Sequence, residues 1–182
     1  MKTKFTYLLI ALITFGVLYA AVKAGQSVGF NESYEPNQPI NFSHKIHAGE
    51  NQIACTYCHF AAEKGRHAGI PPAGLCMNCH DQIRKDAPEI KKVKELIAKK
   101  KPIEWIKVHH MADFAYFNHA QHVRVGKVSC QKCHGPVESM TRMRQQNDLS
   151  MGWCISCHRE SGIAAPKNHK SSGGGDCAKC HY

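Results

Sequence analysis

The longest hydrophobic stretch of the chain lies near its N-terminus. Phe5 to Val22, FTYLLIALITFGVLYAAV, is an 18-residue run without a charged residue. As a helix it would be about 27 Å long, which is near the minimum for a membrane span. A cleavable secretory signal has a similar start, but its apolar core is normally shorter, and Val22-Lys23-Ala24 is a poor cleavage site. We therefore expect an uncleaved anchor over residues 1–24.

The charges beside this run predict its orientation. Lys2 and Lys4 precede it, and only Lys23 follows closely. The positive-inside rule then places the N-terminus in the cytoplasm. We expect a single span in the inner membrane, with the rest of the chain on the periplasmic side.

A second regular pattern lies in the middle of the chain. Residues 87–101, APEIKKVKELIAKKK, place Ile90, Val93 and Ile97 at near-helical spacing among lysines. This predicts one amphipathic helix that begins near Pro88. Because its apolar stripe is narrow, a connector packed on the rest of the protein is favoured over a partner-binding or membrane-surface helix.

Cysteine usage is the strongest chemical signal. The chain has 10 cysteines and 13 histidines, and every cysteine belongs to a C-x-x-C-H pentapeptide. A histidine directly after the second cysteine marks covalent attachment of c-type haem, with both thiols bound to the haem and the imidazole on the iron. We number these motifs in chain order as sites 1 to 5: Cys55, Cys58 and His59; Cys76, Cys79 and His80; Cys130, Cys133 and His134; Cys154, Cys157 and His158; Cys177, Cys180 and His181.

Other uses of paired cysteines do not explain the motif. A disulfide scaffold, a zinc ribbon and a thioredoxin-like redox pair all use cysteine pairs, but none requires the histidine that follows. The sequence therefore predicts five c-type haems. With roughly 30 residues for each haem, the chain cannot enclose a core unaided, so the haems must supply most of the buried apolar surface. The expected fold class is mainly α with extensive irregular loops and almost no sheet.

A repeat precedes two of the sites. NFSHKIHAGENQIACTYCH, residues 41–59, returns 75 residues later as YFNHAQHVRVGKVSCQKCH, residues 116–134. A duplicated two-haem module accounts for this likeness. The expected organisation is an anchor, a polar tether, a first two-haem module, a connector with a short basic helix, a second two-haem module and a fifth-haem segment, over residues 1–24, 25–40, 41–86, 87–108, 109–162 and 163–182.

The repeat also contains candidate second axial ligands. In each Phe-x-His-x-x-His stretch two imidazoles three residues apart project at different angles and can reach two different irons. We therefore expect one histidine of each pair to serve its own haem and the other a neighbouring haem. The four candidates are His44, His47, His119 and His122.

A fifth distal ligand is needed, and the sequence favours His109. It lies shortly before the second repeat and has no counterpart before the first. His110 could take its place. His67, His169 and the methionines that flank sites 3 and 4, Met140, Met143 and Met151, stay open as further candidates.

The net charge of +10 first suggests an anionic partner such as nucleic acid. Five haems would bring about ten propionate groups and cancel much of this excess. The basic residues are then better interpreted as propionate partners and solvated surface. We expect no nucleic-acid partner.

Iron held by two protein ligands has no open position for a substrate and is suited to electron transfer. The sequence therefore predicts a chain of haems for electron transfer and no catalytic residues. A catalytic haem would need a vacant position with acid and base groups around it.

Several segments resemble the pentahaem cytochrome c subunit of alternative complex III, a bacterial quinol-oxidising respiratory complex. They are the F-S-H-x-x-H start, AGIPPAGLCMNCH, PIEWIKVHHMADFAYFNHAQHV, CHGPVESM and LSMGWCISCHR. The resemblance covers nearly all of residues 41–182. It implies electron transfer from a quinol-oxidising, iron-sulfur-containing core to a monohaem cytochrome c or a terminal oxidase. It also implies assembly with iron-sulfur/molybdopterin-like and quinol-binding membrane subunits.

Three other classes compete with this resemblance. A membrane-anchored NapC/NrfH-type quinol dehydrogenase typically has a methionine close behind its first motif, whereas Phe60, Ala61 and Ala62 follow His59 here. A pentahaem nitrite reductase replaces one motif histidine by lysine, and all five motifs here end in histidine. A free periplasmic shuttle would need cleavage of the N-terminal run.

Overall fold

The structure is a computed structural model that describes residues 2–26, 31–160 and 177–181. The chain divides into two compact units, residues 1–30 and residues 31–182. The expected tether, residues 25–40, crosses this division, and most of the expected fifth-haem segment, His169 included, lies outside the described residues.

The first unit contains helix α1, Lys2–Gln26, which is 25 residues long. Residues Thr3–Gly25 have a mean hydropathy of 2.2, and none of their side chains is buried. Among the described helices this one is long and apolar enough to cross a membrane, and a signal sequence has the same properties. An N-terminal apolar helix is therefore established, whereas its retention as an anchor stays a prediction.

The second unit is built from short helices joined by long loops. Its α-helices are α2 (Cys55–Cys58), α3 (Ala73–His80), α4 (Pro88–Ala98), α5 (Cys130–His134) and α6 (Met151–Glu160). The described residues of this unit also form π-helical turns (Lys45–Glu50 and Gln121–Val125) and 3₁₀ turns (Val137–Ser139 and Cys177–Lys179). The described residues contain no strand, only an isolated bridge between Ala115 and His181. The prediction of a mainly helical, loop-rich fold is confirmed for this part of the chain.

Helix α4 forms where the apolar pattern predicts it. Pro88 occupies the first turn, where its fixed φ suits a helix and its missing N–H costs nothing. Glu89 adds a negative charge to the same turn, which the helix dipole favours. Val93 is buried and Ile90 is half-buried, so this side of the helix packs against the protein, whereas Ile97 at the C-terminal end is exposed.

The two repeats adopt the same backbone turn. A π-helical turn follows the first histidine of each pair and ends in an equivalent hydrogen bond. In the first repeat the N–H of Asn51 donates to the carbonyl of Ile46, and in the second the N–H of Gly126 donates to the carbonyl of Gln121. In both repeats the carbonyl of the second histidine then accepts an N–H from six residues further on, at 3.0 Å. Equal sequence spacing therefore produces equal local geometry.

Each repeat also packs against residues of the other expected module. The N–H of Lys45 donates to the carbonyl of Met140 at 2.9 Å, just beyond site 3. A Cβ on Gly49 would collide with the carbonyl oxygen of Glu138, so the backbones meet too closely for any side chain there. In return, the N–H of Ala120 donates to Gly65 at 3.0 Å. These contacts join the residues of the two expected modules into one body.

Candidate haem sites

Each motif places its two thiols one helical turn apart. Sites 1, 2, 3 and 4 lie on α2, α3, α5 and α6, and site 5 begins a 3₁₀ turn. Residues three apart on a helix share one face, so the two sulfur atoms of a site can approach one edge of a flat group. The motif histidine lies at or just beyond the end of the same turn. The local sequence therefore fixes the geometry of each site.

All ten motif cysteines lie in the described residues, and none of them forms a disulfide. A sulfur that is not in a disulfide and has some exposure can reach the edge of a haem, whereas a disulfide would block attachment. Attachment at each of the ten stays a prediction. Four of the thiols are exposed, namely Cys55, Cys79, Cys177 and Cys180, and six are half-buried, namely Cys58, Cys76, Cys130, Cys133, Cys154 and Cys157.

The half-buried thiols have the properties of structural sulfurs. A reactive or zinc-binding cysteine needs a lowered pKa, because the thiolate is the active form. These sites instead favour neutral sulfur, which is the state of sulfur in a thioether. Burial raises the pKa of the thiols of Cys58, Cys76, Cys130, Cys133 and Cys154.

Three motif histidines each face a histidine of a repeat pair. The ring centres of His47 and His80 are 6.1 Å apart, and those of His122 and His158 are 5.9 Å apart. His119 and His134 lie 6.4 Å apart with nearly parallel rings, the angle between them being 4°. With metal–nitrogen bonds of about 2 Å, two imidazoles on opposite sides of one metal have ring centres about 6 Å apart. The spacing therefore fits one iron between the rings of each pair.

The hydrogen bonds of these rings leave the other nitrogen free for a metal. A carbonyl can only accept, so an Nδ1 atom beside one carries the proton and Nε2 keeps its lone pair. Six of the expected ligands have this arrangement, at 2.6 to 3.3 Å: His47 to Ser43, His59 to Gly69, His80 to Ile83, His119 to Arg66, His122 to Asn118 and His181 to Phe114.

Aromatic stacking orients the second histidine of each pair. Phe42 stacks on His47 with ring centres 4.2 Å apart, and Phe117 stacks on His122 at 4.4 Å. The same phenylalanines meet the first histidine of the pair edge-on, at 4.9 and 4.8 Å. The phenylalanine of the motif therefore holds the two imidazoles in different orientations, as two separate metal sites require.

Burial keeps the central histidines neutral. It lowers the pKa of His44 and of His109 to about 4 and that of His134 to about 3, with neighbouring histidines adding to each shift. A protonated imidazole cannot bind a metal, so these low pKa values favour the ligand form at neutral pH. For His44 the neighbour with the largest effect is His59. These two residues are the counterparts of His119 and His134 in the repeat.

His44 differs from its counterpart in one respect. Its Nδ1 atom is buried and has no hydrogen-bond partner among the described residues, whereas Nδ1 of His119 donates to the Arg66 carbonyl at 2.9 Å. An unpaired buried polar atom is costly and marks a special position. The two repeats are therefore alike in fold and different in the support of their first histidine.

His109 contacts the motif histidine of site 3. Its Nε2 atom is 3.0 Å from Nδ1 of His134, and the two rings meet edge-on with centres 4.4 Å apart. Buried Gln145 holds this segment, because its side-chain oxygen accepts the N–H of His110 at 2.7 Å. Sequence reasoning missed Gln145, since a lone glutamine in a loop has no characteristic spacing.

The remaining candidates are scattered. His67 is exposed and His110 is half-buried. Met140 is buried and its carbonyl binds Lys45, whereas the side chain of Met151 is 65% exposed. His169 lies outside the described residues. None of these positions identifies a fifth distal ligand, which stays a sequence-based prediction.

Site 5 is held by residues 114–116, where the second repeat begins. The N–H of Tyr116 donates to Cys180 at 2.6 Å, and Ala115 pairs with His181. The Phe114 ring lies 5.5 Å from the His181 ring. Residues next to the second histidine pair therefore anchor the motif at the far end of the chain.

The sites do not follow each other in space in their chain order. Apart from burial, the main cause of the raised pKa of Cys58 is Cys76 of site 2, with Cys79 of the same site adding to it. The pKa of Cys130 is raised by Cys55 of site 1, to which it is also hydrogen-bonded.

Sites 3, 4 and 5 are connected by neighbouring thiols in the same way. For Cys133 the neighbours that raise the pKa are the two thiols of site 4, Cys157 before Cys154. For Cys154 the first neighbour is Cys180 of site 5. These neighbours connect the sites in the order 2, 1, 3, 4, 5. Two hydrogen bonds agree with this order: Lys45 of the first repeat bonds to Met140 after site 3, and Tyr116 of the second repeat bonds to Cys180 of site 5.

The residues present fit c-type haem better than a protein-only metal site. No cluster of three or more His, Cys, Asp or Glu side chains able to hold a metal ion occurs in the described residues. Two facing imidazoles would fill the two axial positions of a haem iron, whose other four ligands come from the porphyrin, and the two nearby thiols would bond to the haem edge. The described part of the second unit also buries few apolar side chains, namely Ile40, Ala62, Val93, Val108 and Met140.

Comparison with known proteins gives the same class of cofactor. Residues 115–182, which contain sites 3, 4 and 5, match the family described as cytochrome c7 and related cytochrome c. The chain is also 35% identical over 101 residues to the multiheme cytochrome c subunit of menaquinone reductase from Nitratidesulfovibrio vulgaris. That alignment covers 55% of this chain and 47% of the relative, so the chain spans about half the length of the relative it matches. A multihaem cytochrome c segment is therefore shown.

Proposed function

We propose that the chain is the electron-transfer subunit of a respiratory membrane complex that oxidises quinol, and that it carries five c-type haems. Haem iron with two axial imidazoles supplies one-electron chemistry and has no position for a substrate. The observation that carries the proposal is the set of three histidine pairs at 5.9 to 6.4 Å. The resemblance to the alternative complex III subunit supports the choice of complex.

The proposed ligand pairs follow from this geometry and from the repeat. His47 serves site 2, His119 serves site 3 and His122 serves site 4. By equivalence of the repeats, His44 serves site 1 with His59. Each Phe-x-His-x-x-His stretch thus gives its first histidine to the nearer site and its second to the following one. His181 would need a fifth distal ligand. The sequence-based prediction of His109 for this position competes with the structure, in which Nε2 of His109 lies 3.0 Å from Nδ1 of His134 at site 3.

The protein's own groups set the properties of each site. Outward hydrogen bonds from Nδ1 to carbonyls fix each ring and raise its strength as a ligand. Buried thiols favour the neutral state of sulfur, and buried imidazoles stay unprotonated. The chain thus orients its cofactors and covers them, and no described residue is assigned a catalytic role.

A second candidate function comes from the relative's name. Because that protein belongs to a menaquinone reductase, the present chain could deliver electrons to a quinone-reducing partner. A membrane-anchored NapC/NrfH-type quinol dehydrogenase would in addition bind quinol itself. Assay of the isolated chain and of its native complex with menaquinol and with menaquinone separates these cases. Oxidation of menaquinol by the complex, but not by the chain alone, is the expected outcome.

The cofactor proposal is tested by counting haems and their spin states. Pyridine haemochrome analysis is expected to give five c-type haems per chain. Low-temperature EPR and near-infrared MCD of the oxidised protein are expected to show low-spin haems with two axial imidazoles. A smaller haem count, or carbon monoxide binding at several reduced haems of intact protein, would contradict the proposal.

A further inference from the structure

We propose that the lysine-rich surface beside site 2 docks an acidic electron-acceptor protein, which makes site 2 the exit of the haem chain. We define this basic face as residues 81–101, the loop after His80 together with α4 and its C-terminal extension. The proposal rests on the proposed electron-transfer function. It adds the place where electrons leave and the kind of partner that takes them.

Site 2 lies at one end of the order of the haem sites. In the succession 2, 1, 3, 4, 5 sites 2 and 5 are the two ends, so electrons enter and leave the chain of haems most directly through them. The backbone geometry supports the links from site 2 to site 1 and from site 1 to site 3. His44 and His47 share one turn and serve adjoining sites, and the same turn bonds to the segment after site 3, from the N–H of Lys45 to the carbonyl of Met140 at 2.9 Å. A sequential order along the chain would have placed site 1 at the end.

The basic face has an excess of positive charge. Residues 81–101 contain eight Lys or Arg and four Asp or Glu, a net charge of +4. Their acidic side chains pair with only three of the cations: Glu89 with Lys92, Glu95 with Lys99, and Asp81 with Lys94 at 3.7 Å. The cations Arg84, Lys85, Lys91, Lys100 and Lys101 are all exposed. A positive field at one end of the chain steers an acidic partner to that end.

The basic face directly adjoins the site. Nδ1 of His80 donates to the carbonyl of Ile83 at 2.9 Å, so the loop that bears Arg84 and Lys85 covers the motif histidine. Helix α4 packs on α3, and Lys94 bonds to Asp81, the residue after His80. A protein bound to this face would therefore lie close to site 2, as transfer of an electron over a short distance requires.

The packing of α4 favours a protein over a lipid surface. A helix that lies in a membrane interface must bury its apolar stripe in the lipid. In α4 Val93 is only 2% exposed and Ile90 is half-buried, so Ile97, at 37%, is the one residue of the stripe that is exposed. Charged contact with little apolar area is typical of short-lived redox encounters between proteins. The transfer itself is simple: site 2 loses one electron, the partner's oxidised centre gains it, and no bond or proton changes place.

The test uses the full chain with its haems, reduced in advance, and two acceptors that differ in charge. Mitochondrial cytochrome c is basic, and its succinylated derivative has the same haem on an acidic surface. Stopped-flow oxidation of the wild type at low ionic strength is expected to be faster with the succinylated acceptor. The advantage should disappear at high salt, because screening removes the steering.

Charge reversal locates the docking surface. K85E/K91E is expected to slow transfer to the succinylated acceptor about 10-fold and to accelerate transfer to native cytochrome c. The matched control, K127E/R142E, reverses two exposed cations of the second module and is expected to change either rate less than about 2-fold. Equal effects of the two variants, or no effect of either, would overturn the docking proposal.

Two further readouts separate the possible failures. Haem content and low-spin spectra of both variants should equal those of the wild type; a low haem content in the wild type would contradict the proposed function, not the docking surface. The rates are also measured in nanodiscs of zwitterionic lipid and of lipid with anionic headgroups. If anionic lipid abolishes the effect of K85E/K91E, the basic face binds the membrane and the docking proposal is wrong.

Discussion

At the residue scale, two roles for His109 lead to different spectra. The sequence favours it as a fifth iron ligand, whereas the structure brings its Nε2 to Nδ1 of His134. A hydrogen-bond acceptor at that nitrogen strengthens the imidazole as a ligand and stabilises oxidised iron. If His109 is this acceptor, it positions and tunes the ligand of site 3 without touching its iron.

We therefore expect His109→Ala to leave every haem low-spin and to raise the potential of one. An upper bound is about 60 mV, the value of a tenfold change in a one-electron equilibrium. Redox titration followed by visible spectroscopy measures the shift, and His109→Gln, which keeps an acceptor, should restore part of it. His67→Ala is the control at an exposed histidine. Appearance of one high-spin haem in His109→Ala would show instead that His109 is an iron ligand.

The sequence predicted the motif residues but not the residues that hold them in place. The spacing of cysteines and histidines predicted which residues form each motif, because that chemistry is confined to five consecutive residues. The pattern could not predict Gln145 or the carbonyls of Gly69 and Arg66 as partners. These are long-range contacts of residue types that carry no motif, and only the folded backbone brings them to the sites.

At the element scale, the two repeats have the same turn and different surroundings. Gly49 lies in the first π-helical turn, against the backbone of Glu138, whereas its counterpart in the second repeat is the exposed Arg124. The first turn can therefore approach the second half of the protein closely only because position 49 has no Cβ. The sequence shows the repeat but does not show that one copy is packed and the other is exposed.

Gly49→Ala is therefore expected to destabilise the protein by about 1–3 kcal/mol, the usual effect of overpacking a close contact. Urea unfolding of the haem-loaded protein measures the change. Gly74→Ala is the matched control, because a methyl group at that position of helix α3 would meet no atom within 4 Å. That variant should be neutral or slightly stabilising. Equal stability of the two variants would contradict the proposed packing.

Helix α4, residues 88–98, was predicted correctly from the spacing of its apolar residues. Its start at Pro88 and the burial of Val93 follow from local propensity and periodicity. Its position beside site 2 does not follow from either property. That position depends on contacts with α3 and on the bond between Lys94 and Asp81.

At the scale of the whole molecule, the N-terminal helix decides how the protein is located. If it is retained as an anchor, the intact chain should stay in the membrane fraction after washes with high salt and alkaline carbonate, and detergent should release it. N-terminal sequencing of the extracted protein should begin within residues 1–5. A released protein that begins after Ala24 would show that the helix is a cleaved signal.

The sequence by itself determined the cofactor chemistry, the repeat and the apolar N-terminal helix, because each depends on residues that are close together along the chain. Only the tertiary structure decided which histidines face each other and that the sites follow the order 2, 1, 3, 4, 5. Those features depend on contacts between distant segments, such as the bond from His119 to Arg66, 53 residues away. The spacing of a motif specifies the ligands that a site can offer, and the path of the backbone specifies the site that each ligand reaches.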